Sequence, residues 1–290
     1  AVTVMIGLWL NDELSFNRFH RHYDRLAQLY INQSFNGETG TSPAVSIPSA
    51  TELKKKYAAD FNAVALASWN YGHLLVNGET KLNKDGMYAD PVLPEMLSLA
   101  MLKGGYETAL REPASILLSE SVAKALFGEA DPMNKIIRLD TKTNVRVTGV
   151  FADLPFNSTL QDVKFFLTWS AYGIDQPWVK NAEQQWGNHS FQCFVQLADK
   201  ADMRAVSAKI RDVEKPHASP QEKPAYFLHP MRDWHLRSEF KNGQNVGGRI
   251  QFVWLFGLIG GFVLLLACIN FMNLSTARSE KRAKEVGIRK

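Results

Sequence analysis

Cysteine is almost missing from this chain. Only Cys193 and Cys268 occur in 290 residues, and the second lies inside an apolar run, so the two are not natural partners. No disulfide framework and no cysteine cluster for zinc can be built, and an oxidising compartment is neither required nor excluded. The short motifs that carry enzymatic chemistry are missing too. The seven histidines (His20, His22, His73, His189, His217, His229 and His235) form no H-E-x-x-H pair, and no G-x-x-x-x-G-K-[ST] loop exists to cradle a nucleotide. The chain is therefore not itself an ATPase. Ser121–Lys124 matches the S-x-x-K pattern of acyl-enzymes, but the companion K-T-G is absent. Ser121 then reads as part of an exposed turn of an ordinary helix, and His20 and His22 as structural rather than metal-binding. No catalytic residue, metal or cofactor of the chain's own is expected.

Net positive charge is confined to one end. The formal charge is +4, and residues 278–290 hold six cations (Arg278, Lys281, Arg282, Lys284, Arg289 and Lys290) against Glu280 and Glu285, so 6 − 2 = +4 resides there. The other 277 residues sum to zero, which removes the basis for a nucleic-acid partner.

Charge of either sign is absent between Arg249 and Arg278. Residues 250–272 are the greasiest part: 23 residues, of which fourteen are Leu, Ile, Phe or Val. About 20 helical residues cross a hydrocarbon core of ~30 Å. At roughly −0.3 to −0.6 kcal/mol per such residue, insertion is favoured by several kcal/mol. A buried core helix is seldom this long and this uniformly apolar. Residues 249–273 are predicted to be a transmembrane helix. Six cations follow the apolar run 250–272, and three (Arg237, Lys241 and Arg249) lie in the fifteen residues before it. The positive-inside rule then places the tail in the cytoplasm and the preceding residues outside. The opening stretch "AVTVMIGLWL" is too short to cross; it reads as the outer end of a first span, residues 1–11, with a short buried strand or helix as the alternative.

Between the two lies an outside domain, residues 12–248. Strands are predicted at 26–35, 62–69, 116–118, 135–140, 145–153, 163–168, 191–197 and 225–228, and helices at 50–59, 94–102 and 201–213. "NGET" and "NKDG" carry hairpin turn signals. Ser119 is a good N-cap and Gly128 a natural helix stop. Two β-α-β units bracket a strand-rich middle, which predicts an α+β domain of two lobes, one from both ends of the segment and one from the insertion.

The stretches "NDELSFNRFHRHYDRLAQLY", "EPASILLSESVAKALFGEADPMNKII", "VTGVFADLPFNSTL" and "LLACINFMNLSTARSEKRAKEVGIRK" resemble the FtsX-like, MacB-like ABC transporter permeases, in the version common in Bacteroidetes-type bacteria. The last stretch is the most specific, and residues 173–185 match weakly. The resemblance implies a multi-pass protein of the bacterial inner membrane with a large periplasmic domain of porter-like β-α-β units and an inserted subdomain. It implies a mechanotransmission role in export or extraction of a substrate: ATP is bound by a separate ABC ATPase subunit, and its motion is carried to the periplasmic domain. A second permease copy, as a homodimer or fused repeat, and a periplasmic adaptor are further implied partners, beside the lipid bilayer.

Residues 274–290 would then be a cytoplasmic coupling helix docking on the ATPase through Arg278, Arg282, Lys284, Glu285, Val286, Gly287 and Arg289. Their spacing agrees: Arg278, Arg282, Glu285 and Arg289 share one helical face, and Glu280 precedes Lys284 in the favourable i, i+4 order. A stop-transfer tail held by anionic lipid is the plainer reading of composition alone. Gly257 and Gly261 form a G-x-x-x-G pair for helix packing, and Asn270 and Asn273 could bond a neighbouring helix. The alternative function is a membrane-anchored sensor whose outer domain binds a ligand.

Overall fold

The computed structural model describes residues 2–288. Helix α1 (Val2–Ser15) leads through a short connection to strand β1 (Leu26–Phe35), hairpin strand β2 (Glu38–Ser42), helix α2 (Ile47–Lys56) and strand β3 (Phe61–Ala67). An insertion follows: β4 (Tyr71–Asn77), β5 (Thr80–Ala89), α3 (Leu93–Met96), β6 (Met101–Lys103), β7 (Ser115–Ser119), α4 (Glu120–Phe127), β8 (Ile136–Leu139), β9 (Thr143–Phe151), β10 (Phe165–Thr168), α5 (Trp169–Asp175) and α6 (Pro177–Ala182). The chain then returns as β11 (Gln192–Leu197), α7 (Met203–Ile210) and β12 (Ala225–Pro230), turns through the hairpin β13 (Glu239–Lys241) and β14 (Gln244–Gly247), and ends in α8 (Ile250–Ile288).

The first and last strands of the domain interlock. Their order is β12-β1-β11-β3, and every adjacent pair is antiparallel. β1 and β3 therefore run parallel with β11 between them, and β11 and β12 run parallel with β1 between them: two split β-α-β units, each completed by a strand of the other. The helix bounds follow local chemistry. Ser46 caps α2 by accepting from Ser49 N, with Pro48 in the first turn, so the helix starts three residues earlier than predicted. Asp202 caps α7 through Arg204 N and Ala205 N.

The expected separation into two lobes is not seen as two sheets. Twelve strands form one sheet, with the inserted strands joined to the terminal ones at the single pair Ala67↔Ala89 between β3 and β5. Period-two alternation then assigns a core to each face. Leu29, Leu66, Ile116, Phe165 and Val195 point to one face, covered by α2, α4 and α7. Leu26, Ala65, Leu117, Phe166 and Phe194 point to the other, together with Leu97, Met231 and Trp234. Strands β7, β10 and β11 are buried at every residue, the mark of strands covered on both faces. Each core draws residues from both the terminal strands and the insertion, which is why the boundary is seamless.

Three local expectations change. The helix predicted over 94–102 stops at Met96, because Ser98 takes a left-handed φ of 51° and the chain re-enters the sheet as β6. The "NKDG" stretch is no turn: it lies within β5, paired to β4 from Thr80 to Gly86. Helix α8 shows no break between span and basic segment and runs unbroken to Ile288, since 275–286 contains neither glycine nor proline.

Candidate functional site

Helix α8 is long and apolar enough to cross a membrane over Ile250–Glu280, and nearly all of it is exposed. Helix α1, with fourteen described residues, is shorter than a crossing requires. The two helices pack side by side. Trp9 meets Phe256 edge to face at 5.1 Å, and a Cβ at Gly257 would stand 3.9 Å from Leu10. The closest approach is at Gly260, where a Cβ would come within 3.0 Å of Ile6, whereas Gly261 faces open space. Within this chain, then, the small-residue contact is Gly257 with Gly260 rather than Gly257 with Gly261.

Both helices are gripped where they leave the domain. The buried Glu13 carboxylate at the end of α1 accepts from His235 Nε2 at 2.8 Å, and Arg249 Nη1 lies 3.8 Å from its other oxygen. His235 stacks flat on Phe16, with ring centroids 3.4 Å apart. Arg249 is the residue before α8, and Ile250 N donates to Leu236 O at 3.0 Å. Gly247 and Gly248 make this turn possible: their φ values are +106° and +129°, and a Cβ at Gly248 would press on Leu236 O. One carboxylate thus joins the first helix, the post-β12 turn and the start of the last helix.

A second tie binds α1 to the insertion. Asn17 sits at φ 62°, a left-handed position that asparagine tolerates. Its side-chain oxygen accepts from Thr159 N at 2.9 Å and from Thr159 Oγ1 at 3.2 Å, while Asn17 N donates to Asn157 O at 2.8 Å. Asn157 Nδ2 donates to Ser15 Oγ at 2.8 Å. Two of the quoted sequence stretches, "ELSFNRFH" and "LPFNST", are therefore halves of one joint.

A third tie is His20, whose Nδ1 donates to Leu97 O at 2.5 Å. Burial lowers the His20 pKa, against an upward pull from the Leu97 carbonyl. Its Nε2 is buried with no partner among the described residues, so no acceptor awaits a second proton. The unfolded chain therefore binds a proton near pH 6.5 that the folded chain resists, and stability falls as pH drops below that value. The slope for this group is at most about 1.4 kcal/mol per pH unit. Denaturant midpoints of His20→Asn, whose amide can still donate to Leu97 O, should show a shallower decline between pH 7 and 5 than the parent; an identical decline would disprove the assignment.

The basic candidates Arg278, Arg282 and Lys284 lie exposed on α8, as do Asn270 and Asn273. The side chains of Glu285, Val286 and Gly287 and the whole of Arg289 lie outside the described residues. Ser121 has a structural partner: its hydroxyl donates to Asp153 Oδ1 at 2.7 Å and its N–H to Oδ2 at 2.9 Å. Burial raises the Asp153 pKa, but these bonds and Lys164 outweigh it and the net shift is downward. Asp153 so serves as a long-range cap on the start of α4. Trp234 packs on Phe194 at 5.6 Å and donates Nε1–H to His229 O at 3.0 Å. Sequence reasoning passed over Glu13, Asn157 and His235. The available signal was an acid directly after an apolar run, which buries only when paired.

A family model described as MacB-like periplasmic core domain matches residues 1–213. No curated protein matches the chain. Among solved structures, the chain is similar to a domain of a Porphyromonas gingivalis protein described as a permease, with a TM-score of 0.59 and 19% identity over 73% of this chain and 91% of that one. It is also similar to the periplasmic region of MacB from Actinobacillus actinomycetemcomitans, with a TM-score of 0.51 and 15% identity over 70% and 88% of the two chains. The extracellular domain of the noncanonic ABC-type transporter YknZ from Gram-positive bacteria gives a TM-score of 0.51 and 13% identity over 70% and 98%. At these identities the likeness is one of fold.

Proposed function

The chain belongs to the MacB-like periplasmic core domain family, and from that premise we propose that it is the permease subunit of an ATP-driven transporter of the bacterial inner membrane. Residues 12–248 stand in the periplasm, α8 crosses the bilayer, and its basic end meets an ABC ATPase at the cytoplasmic surface. The protein transmits motion rather than catalysing a reaction: nucleotide is bound and hydrolysed by the partner ATPase. A second permease copy completes the working unit, and the output is export or extraction of a substrate from the periplasm or membrane.

The observation that carries this reading is the junction at Glu13. A helix can convey force to a folded domain only if the domain holds it by groups that do not slip. Here the domain binds the end of α1 and the start of α8 through the same carboxylate, and α8 continues without a break into the cationic face.

Two measurements test it. Cysteines placed at Lys135 and Lys290 should label from opposite sides of the membrane; labelling from one side only would sink the transporter reading. Charge reversal at Glu285 or Arg289 should then lower transport output per ATP hydrolysed by roughly five- to 150-fold, the range of coupling free energies between linked sites, while the protein stays in the membrane. Normal output from both variants would disprove docking through this face.

A further inference from the structure

A cleft of about 650 Å³ opens at the junction, between the end of α1, residues 18–24 and the turn at 232–237. Its volume falls within the range of ligand sites. Ile250, the first residue of the apolar helix α8, forms part of its wall, so the cleft lies at the level where α8 passes from domain to membrane.

The charges around it are unequal. Four arginines (Arg18, Arg21, Arg232 and Arg237) line it, against Glu13, Asp24 and Asp233, so 4 − 3 = +1, and Arg249 pairs with Glu13 from beside it. Outside residues 278–290 the chain as a whole sums to zero, which makes this a local excess. Two of the acids are already engaged. Glu13 is held by His235 and Arg249, and Asp233 by Arg237 at 2.9 Å and Arg232 at 4.0 Å. Arg18 and Arg21 are exposed, and neither makes an ion pair among the described residues.

Apolar side chains are exposed on the segments that build this junction. Leu14, which lines the cleft, and Phe19, next to Arg18, are each 42% exposed. Phe156 is 68% exposed, on the loop that Asn157 ties to Ser15 and Asn17. Cations beside exposed aromatic and aliphatic groups, at the head of an apolar helix, suit the interfacial layer of a bilayer, where phosphate and acyl carbon meet.

We propose that this cleft holds the phosphate headgroup of an anionic phospholipid from the periplasmic leaflet, with Arg18 and Arg21 as the principal cations and the acyl chains lying along α1 and α8. The site fixes the domain's height and tilt on the membrane, next to the carboxylate that clamps both helices. It depends on α8 being a membrane span but on no statement about the ATPase or cargo.

The test uses the full chain, purified in detergent and read by native mass spectrometry with added phosphatidylglycerol or phosphatidylcholine. The parent should retain phosphatidylglycerol in preference to phosphatidylcholine. Arg18→Gln/Arg21→Gln should bind it about thirtyfold more weakly, from roughly a factor of five per cation at an anionic surface. Lys281→Gln/Lys284→Gln, which alters only the distant tail, should leave this high-affinity lipid in place. Circular dichroism of both variants should match the parent; Arg18, Arg21 and Lys284 are all exposed. Equal retention of the two lipids, or undiminished phosphatidylglycerol on the Arg18/Arg21 variant, overturns the proposal. So does displacement of the lipid by inorganic phosphate, which would mark a soluble-anion site, or a change in oligomeric mass without a change in bound lipid, which would assign the cleft to a second copy. A chain that stays dispersed without detergent would instead refute the membrane reading itself.

Discussion

Gly86→Ala is expected to be among the most damaging single-methyl additions in the domain. A Cβ at this position would lie 2.3 Å from the ring of Phe165, which is fully buried and pairs with Gly86 across the parallel β5–β10 ladder. The ring is fully buried, with His73 edge-on at 5.9 Å between centroids, so it can yield only by repacking its neighbours. Overpacking typically costs about 1–3 kcal/mol, and an overlap this close falls at the upper end, which for a domain of this size lowers Tm by roughly 10 °C. The mechanism makes a sharper demand on the double variant. Phe165→Leu alone opens space and destabilises, but in Gly86→Ala/Phe165→Leu the added methyl occupies part of that space. The two changes should therefore be less than additive by about 1–3 kcal/mol in a double-mutant cycle read by urea unfolding. Strict additivity would show that the ring is not what excludes a side chain at position 86.

The same glycine shows where the sequence could be read and where it could not. "NKDG" carries a standard turn signature, yet its glycine serves a close approach from a strand nearly eighty residues away. Local sequence holds no trace of a partner that distant. Strand β1 was legible to the residue, because its ends coincide with breaks in apolar patterning; α4 lies between Ser119 and Gly128 as its sequence suggests, but Ser119 makes no capping bond and the distant Asp153 supplies it. Helix α3 was overextended because Leu97 and Leu99 continue a helical apolar pattern, although both are buried in the core on the α3 side of the sheet. The order of the strands was not legible. Split β-α-β units look in sequence like ordinary ones, since nothing in β1 or β3 states that β11 lies between them. For the end that carries α1 and α8 the balance reverses. The apolar run and the charge that follows it act through composition alone, so they could be read directly, whereas the pairing of Glu13 with His235, 222 residues apart, required the fold.

That pairing supports the second large effect. Glu13→Ala removes the acceptor for His235 and leaves Arg249 without its nearest carboxylate. Both side chains of the Glu13–His235 pair are close to nine-tenths buried, and leaving a buried donor without its acceptor costs about 1–3 kcal/mol. Part of that loss will appear as stability. The part that matters for function is the hold of the domain on two helices at once, because α1 and α8 no longer share a fixed point. Transport output per ATP should then fall by at least about tenfold, the consequence of losing as little as 1.4 kcal/mol of preference for the transmitting arrangement, while hydrolysis by the partner ATPase continues. Asn17→Gly provides the contrast: it keeps the left-handed backbone at position 17 and the Asn157 O bond from its own N–H, but deletes both bonds to Thr159. It should loosen α1 from the insertion yet leave the Glu13 clamp in place, giving a milder loss of output. If Glu13→Ala folds, inserts and transports as well per ATP as the parent, force does not pass through this carboxylate. If Asn17→Gly is the more severe of the two, the path runs through the insertion rather than through the turn that holds α8.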